Sequence, residues 1–368
     1  MTVAPPAAEP RGRVALGSKG FIAIVSLAMA TTALGVDTIL PAYGDIRETL
    51  GLEPGATEVT GLITFYLMGN SIGLLPAGLL ADRFGRRAVI WGGLAVYVLG
   101  AIGTILAPSL GLMLLARFVW GLGGAGPRVA ALAMIRDGFA GEQMARQMSL
   151  VMAVFLLVPA VGPTLSAGIL AIGPWEAVVV MCAVAAAVVA YLVTMLPETL
   201  SADARRSLAV RDVLGTYRVV LSTPGTLWYL ASLTALFGVF MSYLASSELI
   251  MDQTYDLKEW FPAFFGGIAL VMLIAMVVNG RIVERVGLRR LLGLVFAANL
   301  ATCVVMLAVA LATGGDPPFG VFVLLIAAVL FTQQMLIQNV NSAAMQPLPA
   351  LAGIGASLLY TTHAADEY

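Results

Sequence analysis

Two ionisable residues stand out because of where they lie. Asp37 is the only charged residue in the apolar run 21–43, and Arg117 lies inside the run 110–135. Charge in hydrocarbon is costly, and residues that carry it usually bind or move an ion or a proton. Both lie about six or seven residues from the same end of their runs, roughly 9–11 Å deep at a helical rise of 1.5 Å per residue. A carboxylate and a guanidinium at matched depth can pair or share a wet cavity, and a movement that changes their separation would load and unload a proton. A static ion pair, or Asp37 open at the outer mouth, is the alternative. A third cluster sits between two uncharged stretches. "GLLADRFGRR", residues 78–87, holds Asp82, Arg83, Arg86 and Arg87 in one short gap.

The elements that position these residues follow from composition. Of 368 residues, 60% are hydrophobic and 11% charged, against roughly 25% charged in a soluble domain. This predicts an all-α, polytopic membrane protein. A run of about 20 apolar residues spans a bilayer as a helix. Ten runs qualify: 21–43, 60–80, 88–108, 110–135, 147–172, 177–196, 225–247, 260–279, 291–312 and 319–340. An eleventh, 350–362, is short, and we expect a partial span there. With the N-terminus in the cytoplasm, only Arg47 and Lys258 of the Lys and Arg residues fall in the outer loops, while Arg117 and Arg128 lie within a span. Positive charge collects inside, so this orientation is expected, in the cell (inner) membrane of a multi-pass chain.

The chain divides into a cytoplasmic leader 1–19, a six-helix bundle 20–196, a polar linker 197–223 and a second bundle 224–368. The halves repeat. "GRIVERVGLRR", 280–290, matches the first cluster at a constant offset, pairing Gly78 with Gly280, Asp82 with Glu284, Arg83 with Arg285, Gly85 with Gly287 and Arg87 with Arg289. A parallel repeat of six-helix units is a transporter pattern.

Other candidates carry weaker signals. "VPAVGPTLSAG" in the fifth run concentrates Pro159, Gly162, Pro163 and Gly168, as in a bent, closely packed helix at a moving interface or simply a kinked one. Asn70, Gln334 and Gln338 could line a cavity or bond between helices. Trp120 and other span aromatics could meet an apolar substrate, although packing is their commoner use. Arg128 reads as a side chain that snorkels to headgroups or contacts the cytoplasmic loop holding Asp137, and Glu248 as a solvated helix end, with a second proton site the alternative. Net charge is −1, which gives no basis for nucleic-acid binding. The single histidine, His363, and the two cysteines, Cys182 and Cys303, provide no metal centre. No phosphate-binding loop or catalytic set is present, so neither a cofactor nor enzyme activity is expected.

Taken together, these motifs resemble the major facilitator superfamily, and more narrowly its drug:proton antiporters of the Bcr/CflA type. "GLLADRFGRR" fits the superfamily's G-x-x-x-D-R-x-G-R-R loop, and "ARFVWGLGGAGPR" resembles its fourth-helix signature. "GPTLSAG" resembles the antiporter signature, and "VDTILPAY", "RDGF" and "PET" are further points of likeness. The resemblance implies a two-bundle fold of twelve helices, of which about ten are full here, with the chain breaking off in the eleventh. It implies a monomer in the lipid bilayer that exchanges protons for small drug-like compounds by alternating access. Arg117 would couple protons and the fifth helix would gate. Asp82 would bond across the bundles toward the start of the eleventh helix. Trp120 stands where such proteins often carry Gln. The alternatives are a narrow-substrate metabolite transporter of the same superfamily, or a truncated, inert, non-transporting membrane protein.

Overall fold

A computed structural model of the chain describes residues 14–15, 18–53, 56–139, 141–200 and 224–345. The described residues are helical, and every one of the ten predicted spans falls on a helix. The first half contains α1 (Lys19–Asp37), α2 (Tyr43–Thr49), α3 (Gly61–Phe84), α4 (Arg86–Leu106), α5 (Leu110–Gly138), α6 (Gly141–Leu170) and α7 (Glu176–Val193). The second contains α8 (Pro224–Leu249), α9 (Phe261–Val286), α10 (Leu288–Ala312) and α11 (Phe319–Met345). Helices are the outcome because a backbone in lipid must satisfy its own hydrogen bonds. The short run 350–362, the leader up to residue 13 and most of the linker lie outside the described residues.

The first span departs from expectation. It is broken just after Asp37, where a turn of 3-10 helix, Leu40–Ala42, leads into α2. Pro41 is the cause. A continuous helix would need an N–H at position 41 to meet the carbonyl of Asp37, and proline has none. At the other end, Ser18 caps α1 by accepting the Phe21 N–H at 3.1 Å.

Glycine sets the packing of the first half, where α5 lies between α3 and α4. A Cβ on Gly69 would strike the Phe118 carbonyl, and one on Gly121 would strike the Tyr66 carbonyl. The backbones of α3 and α5 therefore touch, as small residues allow within a membrane. α1 packs against α5, α6 and α7. In the second half α11 contacts α8, α9 and α10. α6 meets α9 across the boundary between the halves. α10 turns Leu294, Phe296, Leu300, Leu307 and Leu311 outward, a surface suited to lipid.

The repeat extends to the backbone. Gly85 ends α3 and starts α4 with φ +99° and ψ 158°, and Gly287 joins α9 to α10 with φ +81° and ψ 147°. These left-handed values suit glycine alone. Gly85 N–H donates to the Ala81 carbonyl at 3.2 Å, and Gly287 N–H to the Val283 carbonyl at 3.0 Å.

Candidate functional site

α1 is fastened to its neighbours through its own carbonyls. Tyr97 and Tyr66 donate their hydroxyls to the carbonyls of Thr31 and Thr32, at 2.9 and 2.8 Å. Arg117 Nη2 donates to the Gly35 carbonyl at 2.9 Å, and its Nε reaches the Leu62 carbonyl of α3 at 3.0 Å. Threonine and glycine positions one turn apart thus form a ladder of acceptors that fixes the last turns of α1, and with them Asp37.

Arg117 is fully buried. Its guanidinium lies 4.7 Å from the ring centres of both Tyr66 and Trp120, an arrangement in which aromatic faces attract a cation. It does not pair with Asp37. The matched depth foreseen from the sequence is met differently: Arg117 holds the carbonyl two residues before Asp37 rather than its carboxylate. Trp120 is 1% exposed, edge-on to Tyr66 and Tyr97. Asn70, also buried, donates to the Gly121 carbonyl at 3.2 Å. Both face the interior of the first half, where they support Arg117 and the α3–α5 contact.

Asp37 is 4% exposed and has no hydrogen-bond or ion-pair partner among the described residues. A carboxylate in such a place is far from its usual environment, since buried charges are normally paired. α6 crosses beside it. A Cβ on Gly162 would lie 3.8 Å from Asp37 Cβ and 3.4 Å from Thr38 Cγ2. Pro163 is buried next to Gly162, while Gly168 is exposed with open space around it. Pro159 lies within α6. The same helix therefore touches both the unpaired carboxylate and, through α9, the second half. Alanine at 162 makes ordinary contact, whereas Gly162→Leu would push on Asp37 and Thr38. We expect Gly162→Leu to lower the thermal midpoint of the inserted protein and Gly162→Ala to leave it unchanged.

The loop cluster is bonded to the first half and to the start of the linker. Asp82 Oδ1 pairs with Arg86 Nη1 at 2.5 Å, and Arg86 Nε with Asp137 Oδ2 at 2.9 Å. Thr199 donates to Asp137 Oδ2 at 3.0 Å. Glu198 Oε1 and Oε2 accept the backbone N–H groups of Arg86 and Arg87 at 2.9 and 3.2 Å, a carboxylate at the positive end of α4. Arg87 donates to the Thr194 carbonyl at 3.0 Å. Arg83 lies over Phe84, and Gly78 lies in α3 with its α5 neighbour Val129 at 3.9 Å from a would-be Cβ. The partner suggested for Asp82, at the start of the run 350–362, is outside the described residues. Glu198→Ala should cost about 1 kcal/mol, the usual worth of a helix cap, seen as a lower thermal midpoint with insertion retained. In the second loop Glu284, Arg285 and Arg289 are exposed, as is Gly280, and none forms an ion pair among the described residues.

Polar residues of the second half bond between helices. Asn279 of α9 donates to Gln338 Oε1 at 3.1 Å and to Asn339 Oδ1 at 3.3 Å, and Asn339 donates back at 2.7 Å. Gln334 is half-buried on the same helix as Gln338. Arg128 lies over Phe155 at 5.4 Å.

Sequence reasoning missed one contact entirely. Glu248, read as a solvated helix end, is 1% exposed and pairs with Arg47 at 2.9 Å. The burial comes from closure of the two halves over it. The only signal was that an arginine in an outer loop and a glutamate after an apolar run lie at the same membrane level.

Among the described residues, nine helices are long and apolar enough to cross a membrane, which is the class of a multi-pass helical membrane protein. The family model of the Major Facilitator Superfamily matches residues 25–365, and the chain belongs to that superfamily. It is 26% identical over 341 residues to a "Bicyclomycin resistance protein homolog" of Haemophilus influenzae, covering 92% of this chain and 84% of that protein. A "Chloramphenicol resistance protein" of Pseudomonas aeruginosa is 35% identical over 136 residues, covering 37% of this chain and 32% of its own length. Among solved structures, a bacterial homolog of the human lysosomal transporter Spinster superposes with a TM-score of 0.68 at 15% identity, covering 95% of this chain and 81% of that one. A D-xylose–proton symporter does so with 0.65 at 12% identity, covering 95% and 90%. These two likenesses establish the fold.

Proposed function

We propose that this transporter exports small drug-like compounds across the cell (inner) membrane in exchange for protons. It works as a monomer with its N-terminus in the cytoplasm, by alternating access between the units 20–196 and 224–368. The observation that carries this reading is Asp37, buried without a partner at a helix break and touched by α6 where the halves meet. A carboxyl group so placed takes up and gives off a proton when the halves move. The drug-resistance names of the relatives favour export of such compounds over uptake of a nutrient. Arg117 acts through α1, holding the turn that carries Asp37, and the loop 78–87 steadies the inner side.

The test is efflux of several unrelated fluorescent compounds from cells carrying the full chain. Export of more than one class that stops when a protonophore collapses the gradient is expected. Export limited to one metabolite, or unaffected by the protonophore, would overturn the reading. Asp82→Asn should slow transport while leaving insertion intact, since Arg86 retains Asp137 and the fold is held from that side.

A further inference from the structure

The Arg47–Glu248 pair joins the two halves at the outer side. Arg47 belongs to α2, just beyond the break after Asp37, and Glu248 to the last turn of α8. The guanidinium meets the carboxylate through two hydrogen bonds, Nη2 to Oε2 at 2.9 Å and Nη1 to Oε1 at 3.4 Å. The third donor of Arg47, Nε, reaches the Ala56 carbonyl at 3.2 Å, so the side chain is also anchored within its own half. Tyr43, one turn before Arg47, and Met251, in the π turn after α8, are both fully buried. No other ion pair joins the halves among the described residues.

We propose that this pair is the lock of the outer face: it holds the outer ends of the halves together and must part before that face opens. The inference rests on the alternating-access reading. Its physics is that of buried ion pairs. An intact pair in the interior has a small net worth, because desolvation offsets attraction, so it can open and close reversibly. On opening, both groups return to water. Removing one partner is different. It strands the other charge in the closed state alone and leaves it hydrated in the open one, which moves the balance toward opening.

The test uses the full chain in lipid nanodiscs, with Cys303→Ala as background and Cys182 left in place because it is buried. Spin labels at Thr57→Cys and Gln253→Cys, exposed positions on the two sides of the pair, report the separation of the halves by pulsed electron resonance. With Arg47 and Glu248 intact, a single short distance is expected. Arg47→Gln and Glu248→Gln, each tested separately, should raise the ratio of long to short distances by about ten-fold or more. The exchanged pair Arg47→Glu with Glu248→Arg should return it most of the way. If one single variant fails to insert, the other decides. Unchanged distances in the single variants, or an exchanged pair as open as they are, would overturn the lock. The distances are read without substrate or transport. Opening in the single variants together with no efflux from the intact chain would therefore sink the exporter reading and leave the lock standing.

Discussion

Asp37→Asn is expected to abolish gradient-driven export while leaving the protein folded and inserted. Asparagine matches aspartate in size and keeps its place at the end of α1, so the contact with Gly162 survives. On the proposed reading, what is lost is proton exchange at this carboxyl. Efflux should fall to the level of cells without the transporter, and purified protein should keep its thermal midpoint. Asparagine introduces no new buried charge. A parallel drop in thermal midpoint would instead assign Asp37 a structural task.

The second large effect is expected at Gly121. Its hydrogen faces the Tyr66 carbonyl, and a methyl group there collides with backbone rather than with a side chain that can turn aside. Separating α3 from α5 would also shift Tyr66, Trp120 and Asn70, all of which position Arg117 or this contact. Gly121→Ala should therefore cost about 3 kcal/mol or more, the upper range for overpacked interiors. Gly92 supplies the control. It lies in a helix with open space around it, where alanine gains up to about 1 kcal/mol in helix propensity. Thermal unfolding in detergent should show a marked loss for Gly121→Ala and none for Gly92→Ala. Equal behaviour would mean that the α3–α5 contact is looser than described.

The fold was largely legible in the sequence because lipid leaves a spanning segment few options. Each of the ten apolar runs read from hydropathy falls on a helix, nine of the described helices being long and apolar enough to span, and the repeat of 78–87 in 280–290 foretold matching turns at Gly85 and Gly287. The break after Asp37 was written in "VDTILPAY", since Pro41 removes the donor that the Asp37 carbonyl needs. It was hidden because the stretch remains apolar throughout.

The site was less legible. Spans that are apolar on every side give periodicity little to work with, so Trp120 and Asn70 could not be assigned to a cavity or to the interior from spacing. Arg117 stood out by its charge, but the partners found for it are carbonyls, which have no sequence signature. Arg47 and Glu248 are 201 positions apart. Each looked solvated because a loop residue shows its burial only when the opposing half is in place. Glu198 drew notice as part of "PET", yet its task of capping α4 depends on a close approach that only the fold creates.

The most direct test of the central claim is proton movement in reconstituted vesicles. The chain is placed in proteoliposomes containing a trapped pH-sensitive dye, and an exported compound identified in the efflux assay is added. Substrate-evoked pH change with Asp37 present, and none with Asp37→Asn at equal insertion, is the predicted result. The same pH change in both proteins would contradict the account.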